Sequence, residues 1–264
     1  MKNRLFILAC MFTAFSALVL TGCEKEDKNA ISMSDVNKGI QVIQGQDGND
    51  YEVVDLGLLS GNLWAKCNIG ATSPEKTGSF FAWAETEPRT NFKWNQYKWC
   101  HEDRYTITKY CTKEDKNDYG YNFFYDDKTV MDLSDDAANA LLGEGWHVPS
   151  IDDFLELLTT RNCEAKWCKL NGVEGYLFTS VKKGYEGNSI FIALSGMSDN
   201  GQARFNKERA YLWCNELYYD DINRDYVSTT ASVLELEHTD VDNHIIGSRE
   251  RYLGLPIRPV YNPE

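Results

Sequence analysis

Eight cysteines, four histidines and 40 acidic residues are the groups of this 264-residue chain that could carry chemistry. A nucleophilic cysteine needs a base within reach. His101 adjoins Cys100, but adjacency in sequence does not make a dyad in space. No two cysteines form a Cys-x-x-Cys motif, and His101, His147, His238 and His244 do not stand at zinc-finger spacing, so no structural zinc is expected. The pairs Asp126-Asp127, Asp135-Asp136 and Asp220-Asp221 could offer oxygen ligands to calcium, yet none fits an EF-hand loop. They read as solvated turns and helix caps. A glycosidase needs two carboxylates across a cleft, and a chain this acidic always offers a pair. No catalytic residue, metal or cofactor is therefore expected.

Recognition chemistry is better represented. The segment from Tyr211 to Tyr252 combines large aromatic rings, arginines and amides. Tyr, Trp and Arg give large contact area at low entropic cost, as at protein interfaces and sugar-stacking surfaces. The candidate ligand-binding residues are Trp213, Tyr218, Tyr219, Asn223, Tyr226, His244, Arg249 and Arg251. About half of the aromatics in this segment are expected to pack inward. Trp64, Trp83, Trp146 and Arg258 read as structural.

The formal net charge of −13 excludes nucleic acid as a natural partner, because no basic run offsets phosphate repulsion. The amino terminus gives the membrane relationship. Lys2 and Arg4 precede an apolar run from Leu5 to Leu20, and the run ends in Leu20-Thr21-Gly22-Cys23. A basic start, a short apolar stretch and small residues before the cut make a signal peptide over 1–22. The last four residues resemble a bacterial lipobox, which implies cleavage before Cys23 and a lipid on its thiol. Several acyl chains give stable anchoring. Residues 23–46 read as the lipidated cysteine and a charged tether. Glu24 to Lys28 resembles the lysine-plus-acidic export signal of Bacteroidetes lipoproteins, which implies the outer face of the outer membrane. In an exported chain the remaining six cysteines permit disulfides. Cys100 and Cys111, and Cys163 and Cys168, are the closest pairs, with the connectivity left open.

These side chains need a scaffold. Asp47-Gly48-Asn49-Asp50 marks a turn, followed by strands over Tyr51–Leu56 and Leu63–Ile69 paired as a hairpin. Phe80–Trp83 reads as a short strand and residues 88–128 as a long ordered loop. One helix is expected over Asp135–Leu142, closed by Gly143. A second starts at Ser150, with Asp153 completing a capping box, and runs to about Arg161. Strands follow near Gly175–Ser180, Ser189–Leu194, Tyr211–Asn215, Ser232–Glu237 and Leu253–Val260. Two helices among many short strands make one α+β domain over 47–264.

Six segments in order carry a family resemblance: residues 47–57, residues 63–70, Phe81-Ala82-Trp83-Ala84-Glu85-Thr86-Glu87-Pro88, Gly145-Trp146-His147-Val148-Pro149-Ser150, Tyr211-Leu212-Trp213-Cys214 and residues 254–260. Together they resemble the Fibrobacter succinogenes major paralogous domain. The resemblance implies a C-type-lectin-like fold, in the branch of the formylglycine-generating enzymes, with short strands, two main helices, long loops and a ribbon joining the termini. It also implies that the C-terminal half carries a binding surface, for a protein or a glycan. The copper-binding cysteine pair of those enzymes has no counterpart that can be placed here. The calcium-lectin signature is met only superficially by Glu87-Pro88-Arg89 and Trp213-Cys214-Asn215. The expected role is that of a membrane-anchored surface lipoprotein that binds. A divergent enzyme on the same scaffold and a subunit of a surface adhesin assembly are the alternatives.

Overall fold

A computed structural model describes residues 27–112, 125–238 and 243–263. Cys23 and the signal before it lie outside the described residues, as does part of the expected 88–128 loop. The folded body begins earlier than the charge pattern indicates. The tether expected over 23–46 is already structured at β1 (Ala30–Ile31), which runs parallel to Lys169 and Leu170. A 3-10 turn at Met33–Val36 then buries Val36, and β2 (Ile40–Gln44) pairs antiparallel with β3 (Asp50–Val54). The apolar positions Ile40, Val42 and Ile43 in front of the Asp47-Gly48 turn are the signal for this hairpin.

β3 continues to β4 (Leu63–Ala65), so the hairpin expected there is present, with Val54 opposite Trp64. Asp136 caps α1 (Ala137–Leu142), accepting from the amides of Ala138 and Asn139, and Gly143 ends it at φ 106°. β5 (Trp146–His147) leads into α2 (Ile151–Leu158), where Ser150 and Asp153 form the capping box reciprocally. α2 stops short of Arg161. The Thr159 hydroxyl donates to the Leu155 carbonyl at 2.7 Å and the Asn162 amide to the Glu156 carbonyl at 2.9 Å, which satisfies the free helix end.

The next strand was not anticipated. β6 (Cys163–Leu170) pairs with β7 (Val173–Ser180) through Asn171-Gly172, and β8 (Ser189–Ala193) adds to β7. Both turn residues have positive φ, 52° and 80°, which is what a two-residue hairpin needs and what Asn-Gly supplies. β9 (Met197–Asp199) and β10 (Gln202–Arg204) form a small ribbon. β11 (Arg209–Asp220) and β12 (Asp225–Glu237) make a long hairpin, joined by β13 (Asn243–Glu250). Little of the strand expected over Leu253–Val260 forms, because Pro256 and Pro259 lack the amides that a ladder needs. β14 (Val260–Tyr261) inserts between β4 and β5, so the sheet order is β2-β3-β4-β14-β5. The early strands β2 to β4 and the last strand thus share one sheet, while β1 joins the β6-β7-β8 sheet.

The chain is a mixed, strand-rich α+β structure with two α-helices among the described residues. The paired middle of β11 and β12 is buried on both faces. Tyr211, Trp213, Leu217, Ala231 and Val233 enter one core, while Ala210, Leu212, Cys214, Leu234 and Leu236 enter another with Phe154 and Leu157 of α2. A sheet covered on both sides reads as a continuous apolar run rather than an alternation, as Ala210-Tyr211-Leu212-Trp213-Cys214 does. Two fully buried arginines tie loops to these cores. Arg258 donates to Asn68 Oδ1 and to the carbonyls of Ala65, Lys66 and Phe191. Among the described residues no helix is long and apolar enough to cross a membrane.

Candidate functional site

The eight candidate binding residues fall into three groups. Trp213 is 1 % exposed, and its indole Nε1 donates to the Phe81 carbonyl at 2.8 Å. Arg251 is 0 % exposed. It donates to Tyr97 Oη and to the carbonyls of Tyr110, Ser228 and Lys109, with the rings of Trp83, Tyr97 and Tyr110 around its guanidinium. Both are core residues and cannot meet a ligand. A buried arginine satisfied by carbonyls and aromatic faces is a tie between loops, which composition alone does not distinguish from a binding arginine.

Arg249 belongs to a second place. Its guanidinium lies 4.3 Å from the Tyr211 ring and donates to Glu235 at 2.8 Å, and Glu235 also accepts from Arg209 at 2.9 Å. Gly247 leaves the room this needs, since a Cβ there would come within 3.3 Å of the Glu235 carboxylate. The guanidinium is committed to this network. His244 is placed by its backbone opposite Leu236 in β13, and its side chain lies outside the described residues.

Tyr218, Tyr219, Asn223 and Tyr226 do come together, at the tip of the β11–β12 hairpin. β13 pairs with β12 only from Thr230 to Glu237, so the hairpin continues beyond the third strand. Residues 129–131 support β11 up to Leu217, through Leu217 N–H to the Thr129 carbonyl and the Val130–Glu216 bridge. Past that point Tyr218 faces Val227 and Tyr219 faces Tyr226, whose ring centroids are 5.1 Å apart in an edge-to-face pair.

The turn itself is internally fixed. Asp220 Oδ1 accepts from the amides of Ile222 at 2.9 Å and Asn223 at 3.3 Å, and Oδ2 accepts from Asn223 Nδ2 at 2.6 Å. The backbone amides, then the Asn223 side chain, hold the Asp220 carboxyl below its usual range. Arg224 adopts φ 56°. Ile222 is left 92 % exposed and Tyr219 40 % exposed. Ile222 escaped the composition reading because it is neither aromatic nor charged. Its signal was an aliphatic residue set inside a run of Asp and Asn.

Among the described residues the expected Cys163–Cys168 bridge does not form. Cys67, Cys100, Cys163, Cys168 and Cys214 are free thiols. Cys163 and Cys168 lie on one strand five residues apart, about 16 Å at 3.3 Å per residue, far beyond the Cα separation of roughly 7 Å that a bridge tolerates. An odd spacing also sends them to opposite faces, into different cores. Cys100 instead donates to the Trp94 carbonyl at 2.8 Å. Burial pushes the Cys100 and Cys168 thiols up to about 11 and Cys163 to about 12, and Cys214 well above its usual value. Such thiols stay protonated and unreactive at neutral pH.

A cleft of about 390 Å³ lies beside β3 and β4, lined by Asp50, Tyr51, Glu52, Cys67, Asn68 and Trp146 among others. Its chemistry is limited. Glu52 is paired with Lys66 at 2.8 Å, and burial raises the Cys67 thiol against the pull of Arg258 and Lys66. The paired carboxylates have structural partners elsewhere. Asp136 is the α1 cap. Asp135 accepts from Tyr110 Oη at 2.6 Å, and Asp126 accepts from the amides of Tyr110 and Cys111. Among the described residues no three His, Cys, Asp or Glu side chains are grouped to hold a metal ion.

Comparison with protein-family models, with curated proteins and with solved structures returns no match to this chain.

Proposed function

We propose that this chain is a lipoprotein cut before Cys23, held to the outer membrane by its lipid and exposed on the cell surface, where its domain binds a protein or a glycan. The fold reading that goes with this is C-type-lectin-like, of the major-paralogous-domain type. It is supported by the early strands β2 to β4 sharing one sheet with the C-terminal strand and by two helices followed by a strand-rich second half. The observation that carries the binding role is the tip of the β11–β12 hairpin. Four of the eight candidate residues lie there, on a turn fixed by its own hydrogen bonds, with Tyr219 and Asn223 facing solvent and Tyr218 and Tyr226 half-buried. Pre-organised aromatic and amide groups lose little entropy on binding.

The test has two arms. Mass analysis of the mature amino terminus and labelled palmitate incorporation, with Cys23→Ala as control, examine the anchor. Protease accessibility on intact cells examines the outward address. For binding, the purified domain is screened on a glycan array and against surface-protein extracts. Alanine at Tyr218, Tyr219 and Asn223 should remove binding, whereas Arg249→Ala should alter stability first. Binding unchanged in all three tip variants would sink the assignment.

A further inference from the structure

We propose that the hairpin tip is an apolar plug with an acidic collar, built to enter an apolar pocket with a Lys- or Arg-lined rim on a partner protein, and that the domain presents it at the pole away from its lipid. The second half of this inference rests on the lipoprotein reading above.

The plug is Ile222, flanked by Tyr219. An aliphatic side chain that is 92 % exposed loses contact with water favourably in any apolar pocket. Leu59 is as exposed, at 93 %, but it sits in a short turn that packs back onto α2, where the Ser60 amide donates to Glu156. Ile222 instead caps a two-stranded projection. Its backbone is held by Asp220, and the Tyr219–Tyr226 pair braces the stalk, so insertion would order little that is not already ordered.

The collar selects the partner. Asp220, Asp221 and Asp225 surround Ile222 against the single charge of Arg224, on a chain of net charge −13. Asp220 accepts from the turn amides of Ile222 and Asn223, and Asp225 from the Tyr226 amide that follows it in β12, so both are held in place as well as charged. An anionic lipid surface or a phosphate-bearing ligand would be repelled. A basic rim would be attracted, with faster association and a dependence on salt.

The chain's entry point sets the orientation. Asp27 pairs with Lys169 at 3.1 Å. The Lys169 ammonium lies 5.8 Å from the Trp167 ring, and that ring stacks on His238 at 4.1 Å. The amino-terminal entry and the Glu237 end of β12 therefore share one pole. From Glu237 the hairpin runs on to Asp225 through register shifts between Trp213 and Tyr218, a span of at most about 30 Å at the usual rise per residue. From Cys23 to Asp27 is four steps, at most about 14 Å of reach. The lipid holds one end of the domain close, and the plug lies at the other.

The experiment uses the full lipoprotein in its producing cell, with an aliphatic diazirine residue at position 222 or, as control, at position 59. The expected result is a covalent adduct to one protein from position 222 and none from position 59. The adduct should fall roughly tenfold or more with Asp221→Lys or in high salt. An adduct with a second copy of this chain, an adduct with lipid, equal capture from both positions, insensitivity to Asp221→Lys, or no adduct would each overturn the plug. Orientation is read separately. The lipidated protein is placed in phosphatidylethanolamine–phosphatidylglycerol vesicles containing brominated lipid, with a fluorophore at residue 27 or 222. Quenching at 27 and not at 222 is expected, and the reverse would overturn the polar arrangement. Absence of palmitate at Cys23, with the adduct at 222 intact, would remove the lipoprotein reading and leave the plug standing.

Discussion

Nε2 of His147 lies 3.9 Å from Oδ2 of Asp153. The same Asp153 oxygen accepts from the Ser150 amide and hydroxyl, and Oδ1 accepts from Asn62. One carboxylate therefore closes the start of α2, ties it to the Asn62 turn and faces an imidazole from β5. Asp136, the cap of α1, acts on the same ring through its charge. The starts of both helices meet at His147.

This arrangement predicts a pH window of stability. Burial opposes the charged forms. The nearby His147 imidazole, with the hydrogen bonds from Ser150 and Asn62, nevertheless brings Asp153 down to about 2, and Asp153 followed by Asp136 raises His147 above 6.5. A lowered carboxylate contributes stability that is present above its unfolded value of 3.8 and lost as pH falls toward about 2. A raised histidine contributes stability that is complete below 6.5 and lost as pH rises through its folded value. The pair together favours roughly pH 4 to 6.5. Melting temperature followed from pH 4 to 9 should decline on the alkaline side, and His147→Gln should flatten that decline. Asp153→Asn should cost about 2 kcal/mol near pH 6.

The core assignment of Arg251 makes a second prediction. Arg251→Met leaves the carbonyls of Tyr110, Ser228 and Lys109 without their donor, and should cost about 3 kcal/mol in urea unfolding. Lysine retains the charge but not the planar fork, and should recover only part of that. A stability unchanged in both variants, with binding lost, would return Arg251 to the ligand site.

The cysteines give a third. At neutral pH the native domain should react little with a thiol reagent; at alkaline pH the half-buried Cys67 and Cys100 should react first, and Cys163, Cys168 and Cys214 should join them once the domain is unfolded. Reductant should leave the melting temperature where it was. A bridge mapped to Cys163 or Cys168 in unreduced protein, with its loss of two mass units, is the result that would contradict this arrangement.

Much of the scaffold was legible where a single local signal decides the geometry. Ser150 with Asp153, Gly143 after Leu142 and the Asp47-Gly48 turn each specify a backbone feature by local hydrogen bonding or positive φ, and each is in place. β6 was missed although its Asn171-Gly172 turn was available, because Glu164, Lys166 and Lys169 mask the inward Cys163 and Cys168. The site was legible by region and not by residue. Trp213 and Tyr219 lie on the same strand and differ in whether a second layer covers them. That depends on where β13 and residues 129–131 stop, which are contacts made by distant parts of the chain. Arg249 and Arg251 likewise differ by two residues and by the loop from Tyr97 to Tyr110 that closes over one of them.

The hairpin tip allows structure and recognition to be separated by paired substitutions. Tyr226 packs against the core as well as against Tyr219, so Tyr226→Ala should lower stability by about 1–2 kcal/mol. Tyr219 is more exposed, and Tyr219→Ala should cost less. A double-mutant cycle of the two should give a coupling of about 0.5–1 kcal/mol, since edge-to-face rings hold that much beyond burial. Ile222→Asp touches nothing in the folded domain and should leave the unfolding midpoint within experimental scatter. A loss of stability on Ile222→Asp comparable to that of Tyr226→Ala would mean that the isoleucine is covered in solution, and the exposed plug would lose its basis.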